Sequence, residues 1–460
     1  MKIIFISLDT LRADRLGCYG YPLPTSPYVD KIAKEGALFE NAFASDIPTE
    51  VAHTSIFTGK VGLTSGVVSH GATSSYLPKH QQWLPSILQE SGFTTAAVDN
   101  LYNLKEWFAR GHRYYINSKQ STRWIDGKNI NALAKPWIKE HKDEDFFLFL
   151  HYWDPHTPYL PPKSYIPSFY NQTKDPYAPA NQSMEPAFNH AAYPFFKYHH
   201  YDLLGGITDT DYVNALYDAE IRYLDDLLKE LDLFLEAEGL KEDTLLILFG
   251  DHGESLTEHD IYWDHCGLYD QTVHIPIIMR WPGQIPANKR VQSLVQHVDI
   301  MPTILEWLQQ DIPDDLDGKS LIPLIEGITD EHHQEIFLSE CAWQAARGIR
   351  TERFKYIETY DSGPFTRPPA ELYDLLIDPD ETKNLVDSLP DQAHYFQTRL
   401  HNWVKRKIGE QEDPMKYILR TEGLPFKRRI QKVLEEYGLT WDEWKKNPKR
   451  ERIDGFVEKN

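Results

Sequence analysis

Three residues stand where they could hold a metal ion. Asp9 ends an apolar run, IIFISL at 3–8, and the pair Asp251-His252 ends a second one inside TLLILFGDHGE at 244–254. Two carboxylates and an imidazole make a donor set for a divalent cation. The same residues also suit a helix-capping aspartate and a DHG turn, and at this level the two readings stand level. Thr49 opens the segment TEVAHTSIFTG at 49–59, with His53 four residues on. A hydroxyl at a helix start can cap it, or can attack as a nucleophile where a metal makes it an alkoxide. Further imidazoles occur at His156, in DPHTPY at 154–159, and at His265. Cys266 lies beside His265, but none of its neighbours offers a reason for thiolate activation.

The elements that must position these residues are legible as patterns. The runs at 3–8 and 244–250, with FFLFLHYWD at 146–154, are β-rich and apolar, and each delivers polar residues at its end. Ligands bind at such carboxyl ends in open α/β sheets, so three strand ends are expected to converge on one site. Residues 212–239 carry apolar side chains at helical spacing with a glycine stop. Alternating strands and helices predict an α/β fold with a mostly parallel central sheet flanked by helices. Residues 161–206 are rich in Pro, Tyr, Phe, Asn and His, without periodicity, and read as an aromatic lid-like insertion that carries His199 and His200. From 336 the pattern turns to short strands with tight turns, then charged helices. This predicts a catalytic domain over 1–335 and a smaller C-terminal α+β subdomain over 336–460. The late WKKNPKRER run reads as a solvated helix end, and the charged helices offer either a homo-oligomer contact or a solvated face.

Composition narrows the partners. The 460 residues hold 48 Lys and Arg against 69 Asp and Glu, a formal net charge of −21. That balance argues against nucleic acid or an anionic membrane surface, and leaves a small molecule as the expected partner. Three scattered cysteines supply neither a disulfide framework nor a four-thiolate zinc site. With no membrane-length apolar stretch and no leader pattern at the start, the expectation is a cytoplasmic protein.

Ordered motifs across nearly the whole chain resemble the sulfatase branch of the alkaline phosphatase superfamily. They include LDTLRADRLGCYG at 8–20, TEVAHTSIFTG, DPHTPY, FGDHGE at 249–254 and LYDQTVHIPIIMRWPG at 268–283. VDIMPTILEWL at 298–308, DGKSLIPL at 317–324, RGIRTERFKYI at 347–357 and ELYDLLIDPDETKNL at 371–385 follow. The resemblance implies an alkaline phosphatase-like fold, one divalent metal on Asp9, Thr49, Asp251 and His252, Thr49 as nucleophile, and His156 and His265 as catalytic groups near the leaving group. It puts His53, His70 and Asn100 where family members bind the nucleophile or substrate.

The departures from the sulfatase pattern bear on function. Sulfatases place a Cys or Ser at the Thr49 position and oxidise it to formylglycine. Oxidising a threonine would give a ketone, so no formylglycine is expected. Val51 stands at the Pro of that segment, His53 at the Arg, Thr10 at the second aspartate of the opening pair, and His265 at a lysine. A Thr nucleophile beside Asp, Asp and His resembles phosphoryl-transfer members, phosphodiesterases and lipoteichoic-acid-type phosphoglycerol transferases among them. The Asp, Asp-His set is also similar to that of phosphonate monoester hydrolases. The expected activity is a metal-dependent hydrolysis of phosphate esters, with two alternatives: a sulfatase working without formylglycine, and a non-catalytic metal-binding relative. One imidazole among oxygen ligands favours Mn²⁺, with Zn²⁺, Fe²⁺ or Ca²⁺ as the other candidates.

Overall fold

In the computed structural model, which describes residues 1–117 and 125–457, thirteen strands are numbered in chain order. They are β1 (Lys2–Leu8), β2 (Ala37–Phe43), β3 (Asp46–Ile47), β4 (Thr94–Val98), β5 (Tyr114–Ile116), β6 (Phe146–Tyr152), β7 (Thr244–Gly250), β8 (Ile277–Arg280), β9 (Lys289–Gln296), β10 (Ile336–Cys341), β11 (Ala345–Arg350), β12 (Phe354–Asp361) and β13 (Ala370–Asp374). Eight of them form one sheet in the order β5-β4-β6-β1-β7-β8-β2-β9. Every residue of β1, β6 and β7 is buried, as unbroken apolar runs require when both sheet faces are covered. The pairing is parallel except around β8, which runs antiparallel to both β7 and β2.

Helices cover the sheet. From the helix Thr49–Thr58, Phe57 packs against Phe5 and Phe149 at ring separations of 5.8 and 5.0 Å. From Gly127–Glu140, Trp137 meets Phe146 edge-on at 5.3 Å. The expected long helix is Thr210–Ala237, entered through Asp209, whose side chain accepts the Asp211 N–H.

A second sheet has the order β13-β12-β11-β10-β3. Its edge strand comes from the first part of the chain: β3 pairs parallel with β10, Asp46 opposite Ser339 and Ile47 opposite Glu340. The helix Pro390–Ile408 closes it, with Trp403 stacked on Phe337 at 4.3 Å. The remaining C-terminal helices turn back onto the lid at 161–206, which holds the short helices Glu185–Phe188 and Tyr193–His199. Trp444 Nε1 donates to the Ala191 carbonyl at 2.9 Å, and Tyr193 donates to Asp454 at 2.9 Å. The run expected to be solvated therefore starts from a fully buried tryptophan, followed by Lys445, partly buried and donating to the Gly363 carbonyl, and by exposed Lys446. The ring gains by leaving water, while an exposed charge beside it avoids the cost of desolvation. Among the described residues, no helix is long and apolar enough to cross a membrane.

Candidate active site

Register decides what meets at the top of the sheet. Leu8, the last residue of β1, lies opposite Tyr152 on β6 and Gly250 on β7. The next residues, Asp9, Trp153 and Asp251, therefore emerge side by side from three adjacent strands. Asp9 N–H closes the ladder by donating to the Tyr152 carbonyl at 3.0 Å. Thr10 then takes a left-handed backbone (φ 55°), which turns its N–H onto Asp251 Oδ1 at 3.2 Å. Gly253 is required for space: a Cβ there would come within 2.2 Å of the Gln271 carbonyl oxygen.

Asp9, Asp251 and His252 are all fully buried, and one ligand atom from each lies within 4.8 Å of the others. His252 Nδ1 is bonded to the Gly253 carbonyl at 3.0 Å, which puts the proton on Nδ1 and leaves the Nε2 lone pair facing the cluster. That nitrogen is 3.3 Å from Asp251 Oδ2 and 3.9 Å from Asp9 Oδ1. Asp251 Oδ1 accepts the N–H groups of Thr10 and His252, whereas its Oδ2 takes no hydrogen bond among the described residues. Burial first, and then the neighbouring Asp9, push the Asp251 carboxyl above its ordinary range. Two carboxylates this close in a dry site need a cation if both are to ionise, and the donors present fit a divalent one.

Thr49 is the first residue of the helix Thr49–Thr58, and Pro48 holds the cap position. The capping alternative does not apply, because the Thr49 hydroxyl points instead to His252 Nε2 at 3.2 Å. Behind it, His53 Nδ1 donates to the Thr49 carbonyl at 2.8 Å and its Nε2 accepts from Ser7 Oγ at 2.8 Å. Burial, opposed by Asp251 at 3.5 Å, brings His53 down to about 3, so the ring is neutral. His151 donates from Nε2 to Asp9 Oδ2 at 2.9 Å, and burial likewise lowers it to about 3. These two imidazoles orient the cluster without adding positive charge.

Above the cluster is a cavity of about 190 Å³, small beside drug-sized pockets. Thr49, His156 and His265 line it. The His265 ring stacks on His252 at 4.8 Å and meets His156 at 4.7 Å, and its Nδ1 lies 3.4 Å from Glu254. His156 Nδ1 is bonded to the Thr157 carbonyl at 2.6 Å. The far wall is aromatic: Phe195 and Phe196 from the lid, Trp343 from the loop between β10 and β11, and Phe426 from the helix Pro425–Glu436. Trp343 and Phe426 stack at 4.5 Å. No Lys or Arg is among the residues that line it.

Of the three residues expected to bind substrate, His70 lines the cavity and stacks on Phe426 at 5.8 Å. His53 sits behind Thr49, and Asn100 lies beneath Trp153, accepting its Nε1–H at 2.8 Å. Both stand one layer behind the lining. His199 and His200 of the lid do line it, and neither ring nitrogen of fully buried His200 is hydrogen-bonded among the described residues. Sequence reasoning passed over His151, Asp264 and Trp343. A lone histidine inside the apolar run FFLFLHYW was the one available signal for His151. Nothing local marks Asp264 or Trp343.

A family model described as Sulfatase matches residues 2–310, and one described as N-sulphoglucosamine sulphohydrolase, C-terminal, matches 257–410. An N-acetylglucosamine-6-O-sulfatase of Bacteroides thetaiotaomicron is 24% identical over 84% of this chain and 82% of its own. A solved structure in complex with its substrate D-glucosamine-2-N,6-O-disulfate superposes with a TM-score of 0.71 at 20% identity, covering 90% of this chain and 99% of the other. The phosphonate monoester hydrolase of Agrobacterium radiobacter does so with 0.71 at 21% identity, covering 88% and 96%.

Proposed function

From a chain that belongs to the sulfatase family of the alkaline phosphatase superfamily, and so to hydrolases of sulfate or phosphate and phosphonate esters, we propose an enzyme that cleaves phosphate esters through Thr49. The observation that carries this reading is the nucleophile. A threonine stands where the family's sulfatases need a residue convertible to formylglycine, and its hydroxyl faces the Asp9, Asp251 and His252 cluster. A divalent cation held by these three would acidify that hydroxyl and neutralise charge on the ester. Mn²⁺ is the ion we favour for this mixed oxygen and nitrogen set.

The chain's own groups then have distinct tasks. The Thr49 hydroxyl gives up its proton to solvent and its oxygen bonds to phosphorus as the ester oxygen leaves, while His156 gives that leaving oxygen a proton, with His265 beside it to bind a phosphoryl oxygen or share the acid role. Water then attacks the phosphothreonine, returning one proton to His156 and one to the freed Thr49 oxygen, and the phosphate product leaves. With two carboxylates set against one divalent cation, and no Lys or Arg in the lining, the site suits a single negative charge. That supports a phosphodiester over a doubly charged monoester.

The second reading is a sulfatase acting through unmodified threonine, which the N-acetylglucosamine-6-O-sulfatase relative favours. Sulfate monoesters are also singly charged. Turnover of an aryl phosphodiester, an aryl phosphomonoester and an aryl sulfate by manganese-loaded protein separates the two. The diester is expected to be fastest, with Thr49→Ala slower by at least about a thousandfold. Fastest turnover of the sulfate would replace the phosphate reading.

A further inference from the structure

A second trio of metal-type ligands lies outside the cavity. Asp299, in the VDIMPTILEWL segment, precedes the helix Ile300–Trp307, and its side chain does not cap that helix. Its oxygens accept two backbone N–H groups, Lys319 to Oδ1 and, as the capping box of the 3₁₀ turn His297–Asp299 just before that helix, Gln296 to Oδ2, both at 2.8 Å. The carboxylate is thereby fixed in a fully buried position. His332 and His333, from the link between the helix Ile322–Ile325 and β10, both turn Nε2 onto it. The His332 nitrogen is 3.1 Å from Oδ2, and that of His333 is 3.0 and 3.1 Å from Oδ1 and Oδ2.

We propose that Asp299, His332 and His333 form a second divalent-metal site, one that takes Zn²⁺ or a similar first-row ion. Two vicinal histidines offer the same ring nitrogen to one carboxylate, and the three ligand atoms lie within 4.8 Å of one another. Each imidazole nitrogen lies near 3 Å from a carboxylate oxygen, close enough for one divalent ion to bind all three groups, and two histidines with one carboxylate leave coordination positions open. The backbone donors to Asp299 supply the outer support that ligating carboxylates receive. Access is present: a surface hollow of about 420 Å³ is lined by His332 and His333, together with the carboxylates Asp330, Glu331 and Glu352 and the guanidinium of Arg353. A filled site would pin the link before β10 to the start of the helix Ile300–Trp307, and so fasten the second sheet to the first.

The competing account is a pair of neutral imidazoles donating hydrogen bonds to Asp299, with no ion. Zinc stoichiometry distinguishes the two. The full-length protein is stripped with chelator, dialysed against micromolar zinc, and assayed by elemental analysis. Wild type is expected to hold about one equivalent more than His332→Gln/His333→Gln. The single variant His333→Gln keeps a side chain able to donate to Asp299, and should weaken zinc binding at that site at least about tenfold. Zinc should also raise the melting temperature of wild type by more than that of the double variant. Equal zinc content in wild type and the double variant would overturn the proposal. So would His333→Gln binding as tightly as wild type, since its amide preserves the hydrogen bond.

Discussion

In the proposed reaction Thr49 and His156 carry opposite ends of one displacement, and at the scale of single residues that division can be tested. If His156 protonates the leaving oxygen, His156→Ala should cost little with a p-nitrophenyl ester, whose oxygen leaves without help. It should cost about a hundredfold or more with an alkyl ester. Rates across a series of leaving groups check this, and an equal loss across the series would assign His156 to binding. The chemical type of these residues was readable because their motifs are local. His151 was not singled out, because its role is a 2.9 Å bond to Asp9 from a neighbouring strand. Asn100, expected among the substrate groups, accepts the Nε1–H of Trp153, which lines the cavity, at 2.8 Å.

At the scale of elements, the parallel register of β1 with β6 and β7 aligns the site, and the ends of neighbouring strands hold the loops around it. The end of β4 is one of these. Asp99 accepts from Leu101 N–H at 2.6 Å and from the Tyr115 hydroxyl, yet burial pushes its carboxyl up to about 7. The folded protein thus keeps this proton through a range in which the unfolded chain, with an ordinary carboxyl near 4, has lost it. Stability from this group falls as pH rises from about 4 to about 7 and is level above that. Asp99→Asn should remove the slope and gain on wild type across that window, by on the order of 2–4 kcal/mol. Urea unfolding at pH 5 and pH 8 measures it, and a gain that is the same at both values would refute the assignment. Strands and long helices were legible from periodicity. The antiparallel insertion of β8 and the loan of β3 to the second sheet were not, since pairing partners are chosen by tertiary packing.

At the scale of the whole molecule, the C-terminal helices pack on the segment 161–206. Trp444 to Ala191, Asp454 to Tyr193 and Phe426 against Trp343 tie the last part of the chain to residues 161–206 and to the cavity wall. Trp444→Ala removes a fully buried ring and should cost about 3–5 kcal/mol locally. The expected result is faster proteolytic cutting within 161–206 and a raised KM, with kcat less affected. Lid cutting no faster than in wild type would show that the helices do not restrain it.

The α/β class, the mostly parallel sheet, and the residues proposed as metal ligands, nucleophile and acid were legible in the sequence alone. Each depends on short-range pattern: an apolar run ending in a carboxylate, or a threonine in a fixed motif. Tertiary structure alone decided that the Thr49 hydroxyl faces His252, that the cavity wall is built from lid, second sheet and C-terminal helix together, and that His332 and His333 converge on Asp299. These contacts join residues far apart in the chain, where periodicity and motif carry no information and only packing and register bring side chains together.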